Sequence, residues 1–151
     1  MRSSTAPVTI LLVEDNEDHA LLIEKALRGN GVVNDLRSVA TGEQALDYLL
    51  RRGSFAAPQA SPRPGLILLD LKLPGIDGIE VLKAIKDDPD LKLIPVVMLT
   101  TSAAESDVVA SYNGGANSYI QKPVDFGRFV ETVKQLRMYW LLVNTPSPPP
   151  G

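Results

Sequence analysis

An α/β fold, a doubly wound (βα)5 domain with a five-stranded parallel sheet, is predicted by three features of the sequence. Short aliphatic runs recur along it, and Thr9–Val13, Leu66–Leu69 and Ile94–Leu99 are nearly continuous rather than alternating, as in strands buried on both faces. Between the runs lie segments whose apolar residues return every three or four positions, the helical period. The two kinds of segment alternate, strand then helix, five times, and that order packs as a parallel sheet between two layers of helices.

The first strand, Thr9 to Val13, ends in two acids, Glu14 and Asp15. Asn16 to Asp18 supply helix-start residues, and Ala20, Ile23 and Leu27 carry the helical spacing up to Gly29 and Gly31. Asp35–Val39 is a weaker strand and is expected near an edge. Thr41-Gly42 opens a helix through Ala45, Leu46, Leu49 and Leu50. From Arg51 to Gly65, prolines and small residues predict a long loop.

Leu66-Ile67-Leu68-Leu69-Asp70 is the central strand, entered from Pro64-Gly65 and left through Pro74-Gly75. Asp77 leads the next helix, with Val81, Leu82 and Ile85 inward, and the helix ends before Pro89. The strand Ile94–Thr100 carries Pro95 at its start, where a missing N–H does least harm. Ser102 to Asn113 reads as a short helix stopped by Gly114-Gly115. Ser118–Gln121 is the last strand, ended by Lys122-Pro123. Asp125 caps a final helix through Phe126, Phe129, Val130, Val133 and Leu136.

One domain is expected over residues 9–143, with a flexible N-terminus at 1–8 and a disordered Pro-rich tail at 144–151. At 151 residues the chain is long enough for a real core. A net charge of -3 and the lack of a basic stretch argue against nucleic acid or a membrane as partner. With no cysteine, disulfides, thiolate metal sites and cysteine nucleophiles are excluded. Met1–Pro7 lacks the apolar core of a signal peptide, and Met138–Val143 is too short to span a bilayer, so a cytoplasmic location is expected.

In a parallel sheet every strand's carboxyl end lies on one edge, where open α/β sheets place their ligand chemistry. That edge collects Glu14 and Asp15, Asp70, Thr100 and Lys122. Three carboxylates brought together repel unless a cation sits among them, and few hard oxygen ligands suit Mg²⁺ (or Mn²⁺). A metal, a nucleophilic carboxylate and an opposing ammonium suit phosphoryl transfer, with Asp70 as nucleophile and Lys122 and the Thr100 hydroxyl each on a phosphoryl oxygen. Taken singly, each residue has a plainer reading: Glu14 and Asp15 as helix-cap acids, Asp70 as a cap, Thr100 as a strand terminus, Lys122 as a solvated lysine.

From about Ile10 to Leu141 the sequence resembles the receiver domain of two-component response regulators. The resemblance rests on Val13-Glu14-Asp15-Asn16, on Asp70 with Pro74-Gly75 and Asp77-Gly78, on Thr100-Thr101-Ser102, and on Lys122-Pro123. It implies a flavodoxin-like fold and a signalling phosphoacceptor rather than an enzyme acting on other substrates. Within the family, the loop before the third strand and the segments Pro89–Pro95 and Leu99–Ser102 look most like stand-alone regulators paired with bacterial phytochrome histidine kinases. The implied donor is a sensor histidine kinase, and the implied metal ligands are Glu14, Asp15, Asp70 and the backbone carbonyl of Lys72. Thr100 and Tyr119 are implied as switch residues that alter the face built from helix four, strand five and helix five. Lys72 and Ser102 are implied as modulators of phosphate lifetime, with Lys72 reaching a phosphoryl oxygen, and Lys122-Pro123 as a cis bond.

The run Met138–Val143 is apolar all round, which predicts an interface. A homodimer is expected through the same face, extended by Tyr139, Trp140 and Leu142. No further domain is expected after Leu141, so the output would be binding or onward phosphotransfer. Two other functions are open: an adaptor that works without phosphorylation, and a Mg²⁺-dependent phosphatase of the haloacid dehalogenase type. The second wants an acid two positions past the nucleophile, where Lys72 stands.

Overall fold

The computed structural model describes residues 8–28, 35–111, 116 and 118–138. Five parallel strands, β1 (Thr9–Val13), β2 (Asp35–Val39), β3 (Leu66–Asp70), β4 (Val96–Thr100) and β5 (Ser118–Gln121), form one sheet in the order β2-β1-β3-β4-β5. The helices are α1 (Glu17–Arg28), α2 (Gly42–Leu49), α3 (Gly78–Asp87), α4 (Ala103–Ser111) and α5 (Phe126–Gln135). This is the flavodoxin-like arrangement expected, with β2 at one edge and β5 at the other.

Alternation along the central strands explains their unbroken apolar character. Successive side chains point to opposite faces, and both faces are covered. Leu11, Val13, Ile67, Leu69 and Met98 pack on the side of α2, α3 and Val109 of α4. Ile10, Leu12, Leu66, Leu68, Val97 and Leu99 pack on the side of α1 and α5. A polar residue in β1, β3 or β4 would therefore be buried, which makes Asp70 at the last position of β3 chemically conspicuous.

The helix starts follow local capping rules. The side chains of Thr41, Asp77 and Asp125 accept from the backbone N–H groups of Gln44, Glu80 and Arg128 at 2.8–3.0 Å. Gly78 permits α3 to begin directly beneath β3: a Cβ there would lie 2.3 Å from the Asp70 carbonyl oxygen. Gly75 adopts a positive φ of 73°, which turns the chain between β3 and α3.

Several boundaries differ from expectation. β4 begins at Val96, because Ile94 closes a 3-10 turn at Leu91–Leu93. Pro95 contributes only its carbonyl, which accepts from the Ile67 N–H at 3.0 Å. α2 stops at Leu49, leaving Leu50 at the cap with its side chain largely exposed. Residues 51–65 contain 3-10 turns at Gly53–Phe55 and Pro58–Ala60. They are tied to α2, with the Tyr48 hydroxyl donating to Pro62 O at 2.7 Å and Arg63 donating to Leu49 O at 2.8 Å. The expected end of helix four near Asn113 lies outside the described residues, as do the N-terminal segment through Pro7, the tail, and the interface residues Tyr139, Trp140 and Leu142. Among the described residues, no helix is long and apolar enough to cross a membrane.

Candidate functional site

The strand order steps from β1 outward to β2 on one side and to β3 on the other, so the crevice at the sheet's carboxyl edge opens between β1 and β3. The carboxylates stand at these two strand ends. Glu14 follows β1 with its N–H donating to Val39 O at 3.0 Å, and its Oε2 accepts from the Asn16 N–H at 3.1 Å. Asp70 closes β3. Both are buried, at 3% and 4% exposure, whereas Asp15 faces solvent. One oxygen from each of Glu14, Asp15 and Asp70 lies within 4.8 Å of the others.

Lys122 reaches this cluster from the end of β5. Its N–H donates to Thr100 O at 2.7 Å, and the Lys122-Pro123 bond is cis, as the resemblance implied. The ammonium contacts Glu14 Oε1, lies 3.4 Å from Asp70 Oδ1, and is 3.2 Å from His19 Nδ1. His19 is held in the first turn of α1, where its N–H donates to Asn16 Oδ1 at 3.0 Å.

Burial pushes the Asp70 carboxyl up to about 7, the neighbouring Glu14 charge pushes the same way, and Lys122 opposes both. One lysine therefore falls short of neutralising the cluster. A hard divalent cation fits the donor set: three carboxylate oxygens converge, and the one from Asp15 is on the solvent side.

Thr100 is fully buried, and its hydroxyl is 2.8 Å from the Ser106 hydroxyl of α4. Ser102 acts as a cap, its Oγ accepting from the Glu105 N–H at 3.2 Å. The Lys72 ammonium lies 3.4 Å from Glu105 Oε2, and its side chain is 76% exposed. Tyr119 stands 44% exposed on the edge strand β5. The structure thus gathers Glu14, Asp15, Asp70 and Lys122 in one cluster and engages Thr100, Lys72 and Ser102 with α4.

Three residues of this region escaped the sequence reading. His19 is the chain's one histidine and falls three residues after the helix-start Asn16. Ser102-x-x-Glu105 has capping-box spacing, and Glu105 Oε1 accepts from the Thr101 N–H at 2.9 Å. Ser106 carries no local signal at all.

Residues 10–134 match the family described as the response regulator receiver domain. The chain belongs to that family. It is 43% identical over 144 residues to the probable methanogenesis regulatory protein FilR2 of Methanothrix harundinacea, covering 94% of this chain and 90% of the relative. It is 42% identical over 138 residues to the response regulator Rcp1 of Synechocystis sp., covering 91% and 92%. The solved Mn(2+)-bound form of Rcp1 superposes with a TM-score of 0.71 at 42% identity, covering 89% of this chain and 95% of that one. The bacteriophytochrome response regulator RtBRR superposes with a TM-score of 0.84 at 46% identity, covering 94% and 85%. Receiver domains are signalling modules of two-component systems, and this chain is one of them.

Proposed function

We propose that this chain accepts a phosphoryl group on Asp70 from a sensor histidine kinase, in a reaction that requires Mg²⁺ or Mn²⁺. The observation that carries this reading is the convergence of three carboxylate oxygens within 4.8 Å, with the Lys122 ammonium 3.4 Å from the Asp70 carboxylate. An Asp70 oxygen attacks the phosphorus of a phosphohistidine, the P–N bond breaks as the P–O bond forms, and the imidazole recovers a proton. Lys122 holds one phosphoryl oxygen as a point charge, and the Thr100 hydroxyl donates to another. Glu14, Asp15, Asp70 and the Lys72 carbonyl would hold the metal, which supplies positive charge against the phosphoryl oxygens.

Similarity to RtBRR supports a bacteriophytochrome kinase as the donor. A phosphatase reading lacks its general acid, since Lys72 occupies that position and pairs with Glu105. Incubation with radiolabelled phospho-kinases, a bacteriophytochrome kinase among them, tests the assignment. Label is expected on the parent with Mg²⁺ and lost with Asp70→Asn or with chelator; label retained by Asp70→Asn sinks the reading.

The same face pairs two copies of the chain, through α4, β5 and α5 and extended by Tyr139, Trp140 and Leu142. Support comes from β5, an edge strand whose Tyr119 is exposed beside a groove lined by Arg128, Glu131 and Gln135. Sedimentation velocity is expected to show a dimer that Trp140→Ala weakens. A parent that stays monomeric at high concentration overturns this.

A further inference from the structure

The fully buried hydroxyl of Thr100 has one proton to give, and the contacts around it say where that proton goes. Thr100 Oγ1 and Ser106 Oγ are 2.8 Å apart, and either oxygen can donate on geometry alone. Ser106 Oγ, however, is also 3.2 Å from the Ser102 carbonyl oxygen, which can only accept. The one arrangement that satisfies both contacts is a directed chain: the Thr100 O–H donates to Ser106 Oγ, and the Ser106 O–H donates to Ser102 O. Ser106 is buried in the first turns of α4, so water cannot readily take over either role.

We infer that Ser106 is a positioning residue that competes with the phosphoryl group on Asp70 for the Thr100 proton. This rests on the phosphoacceptor reading above and adds to it the residue that opposes the switch. Before Thr100 can donate to a phosphoryl oxygen, it must withdraw its proton from Ser106, and Ser106 then loses the donor that holds the first turns of α4 to the end of β4. The same exchange thus converts charge at Asp70 into a loosened contact on α4. A purely structural account is available, in which Ser106 only bonds back to the carbonyl four residues earlier, as helix serines often do. The two accounts differ in whether Ser106 acts through Thr100.

A double-mutant cycle separates them, read as the apparent Kd for beryllofluoride with Mg²⁺ by isothermal titration calorimetry. Ser106→Ala is expected to bind roughly 3- to 10-fold more tightly than the parent, the range set by removing one hydrogen bond that favours the unligated state. In a Thr100→Val background, which lacks the proton in dispute, Ser106→Ala is expected to change the Kd less than about 2-fold. Circular dichroism melts establish that each variant is folded. Unchanged affinity in Ser106→Ala, or the same shift in both backgrounds, overturns the latch while leaving Asp70 as acceptor intact. A parent that binds no beryllofluoride and takes no label from any kinase overturns the acceptor reading, and the latch with it.

Discussion

Helices α4 and α5 both pack against the edge strand β5, yet different forces hold them. α5 places Phe129, Thr132 and Val133 in the core and starts at a side-chain cap, Asp125. Of the described side chains of α4, only Ser106 and Val109 are buried. Its first turns are tied by polar contacts instead: Ser106 to Thr100, Glu105 to the Thr101 N–H, and Glu105 to Lys72. An apolar side chain in a core has no better partner elsewhere. A hydrogen bond or surface ion pair can be exchanged for another at small net cost. The helix that adjoins Thr100 is therefore the one held by exchangeable contacts, while α5 is held by its apolar face.

The contrast breaks most clearly on stability. Phe129→Ala should lower the unfolding free energy by about 3–5 kcal/mol, and Val109→Ala by roughly 2 kcal/mol, in urea titrations. Equal losses would mean that α4 is anchored as firmly as α5.

A second test concerns the charge to which α4 responds. Asp70 has its carboxyl raised from an ordinary 3.8 to about 7, first by burial and then by Glu14. The folded protein keeps that proton when the unfolded chain has lost it, so the contribution of Asp70 to stability is greatest below about pH 4 and falls as pH rises toward about 7. Without divalent cations, Asp70→Asn should remove this slope and gain about 1–3 kcal/mol at pH 8, with little difference near pH 4. Excess Mg²⁺ should restore part of the parent's stability at pH 8 and leave Asp70→Asn nearly unmoved. A parent whose urea midpoint is flat from pH 4 to 8 in chelator would contradict the electrostatic account of the cluster.

The smallest effect belongs to the Lys72–Glu105 pair. Glu105→Gln should cost under about 1 kcal/mol of stability, since Lys72 is 76% exposed. It frees the Lys72 ammonium to reach the phosphoryl group, and decay of phosphorylated protein should slow roughly 2- to 5-fold, the free energy of one such pair. Gel-shift time courses measure this. The same slowing in a Lys72→Ala background would remove Lys72 from the explanation, and a Lys72→Ala parent decay rate that does not change would do the same.

Much of this architecture could be read before any coordinates. Leu66–Leu69 announces a two-sided burial by being unbroken, and Asp77 and Asp125 announce helix starts, because both signals depend only on neighbours in the chain. The acid cluster was legible one step further out. A parallel sheet puts every strand's carboxyl end on one edge, so Glu14, Asp15, Asp70 and Lys122 had to meet once the strand–helix alternation was accepted. The ordering of residues 51–65 was not legible, since it rests on Tyr48 and Arg63 reaching carbonyls 14 residues away.

Residue order thus determined which side chains share the carboxyl edge of the sheet, because strand polarity and period are local properties of the backbone. Which partner each of them holds was decided only by tertiary packing. Lys122 divides its ammonium among Glu14, Asp70 and His19, Lys72 pairs with Glu105, and the Thr100 hydroxyl pairs with that of Ser106. Those choices turn on ångström differences in where α1 and α4 settle against the strand ends. Hydrogen bonds are strict about such distances, and a pattern of residues along a chain does not record them.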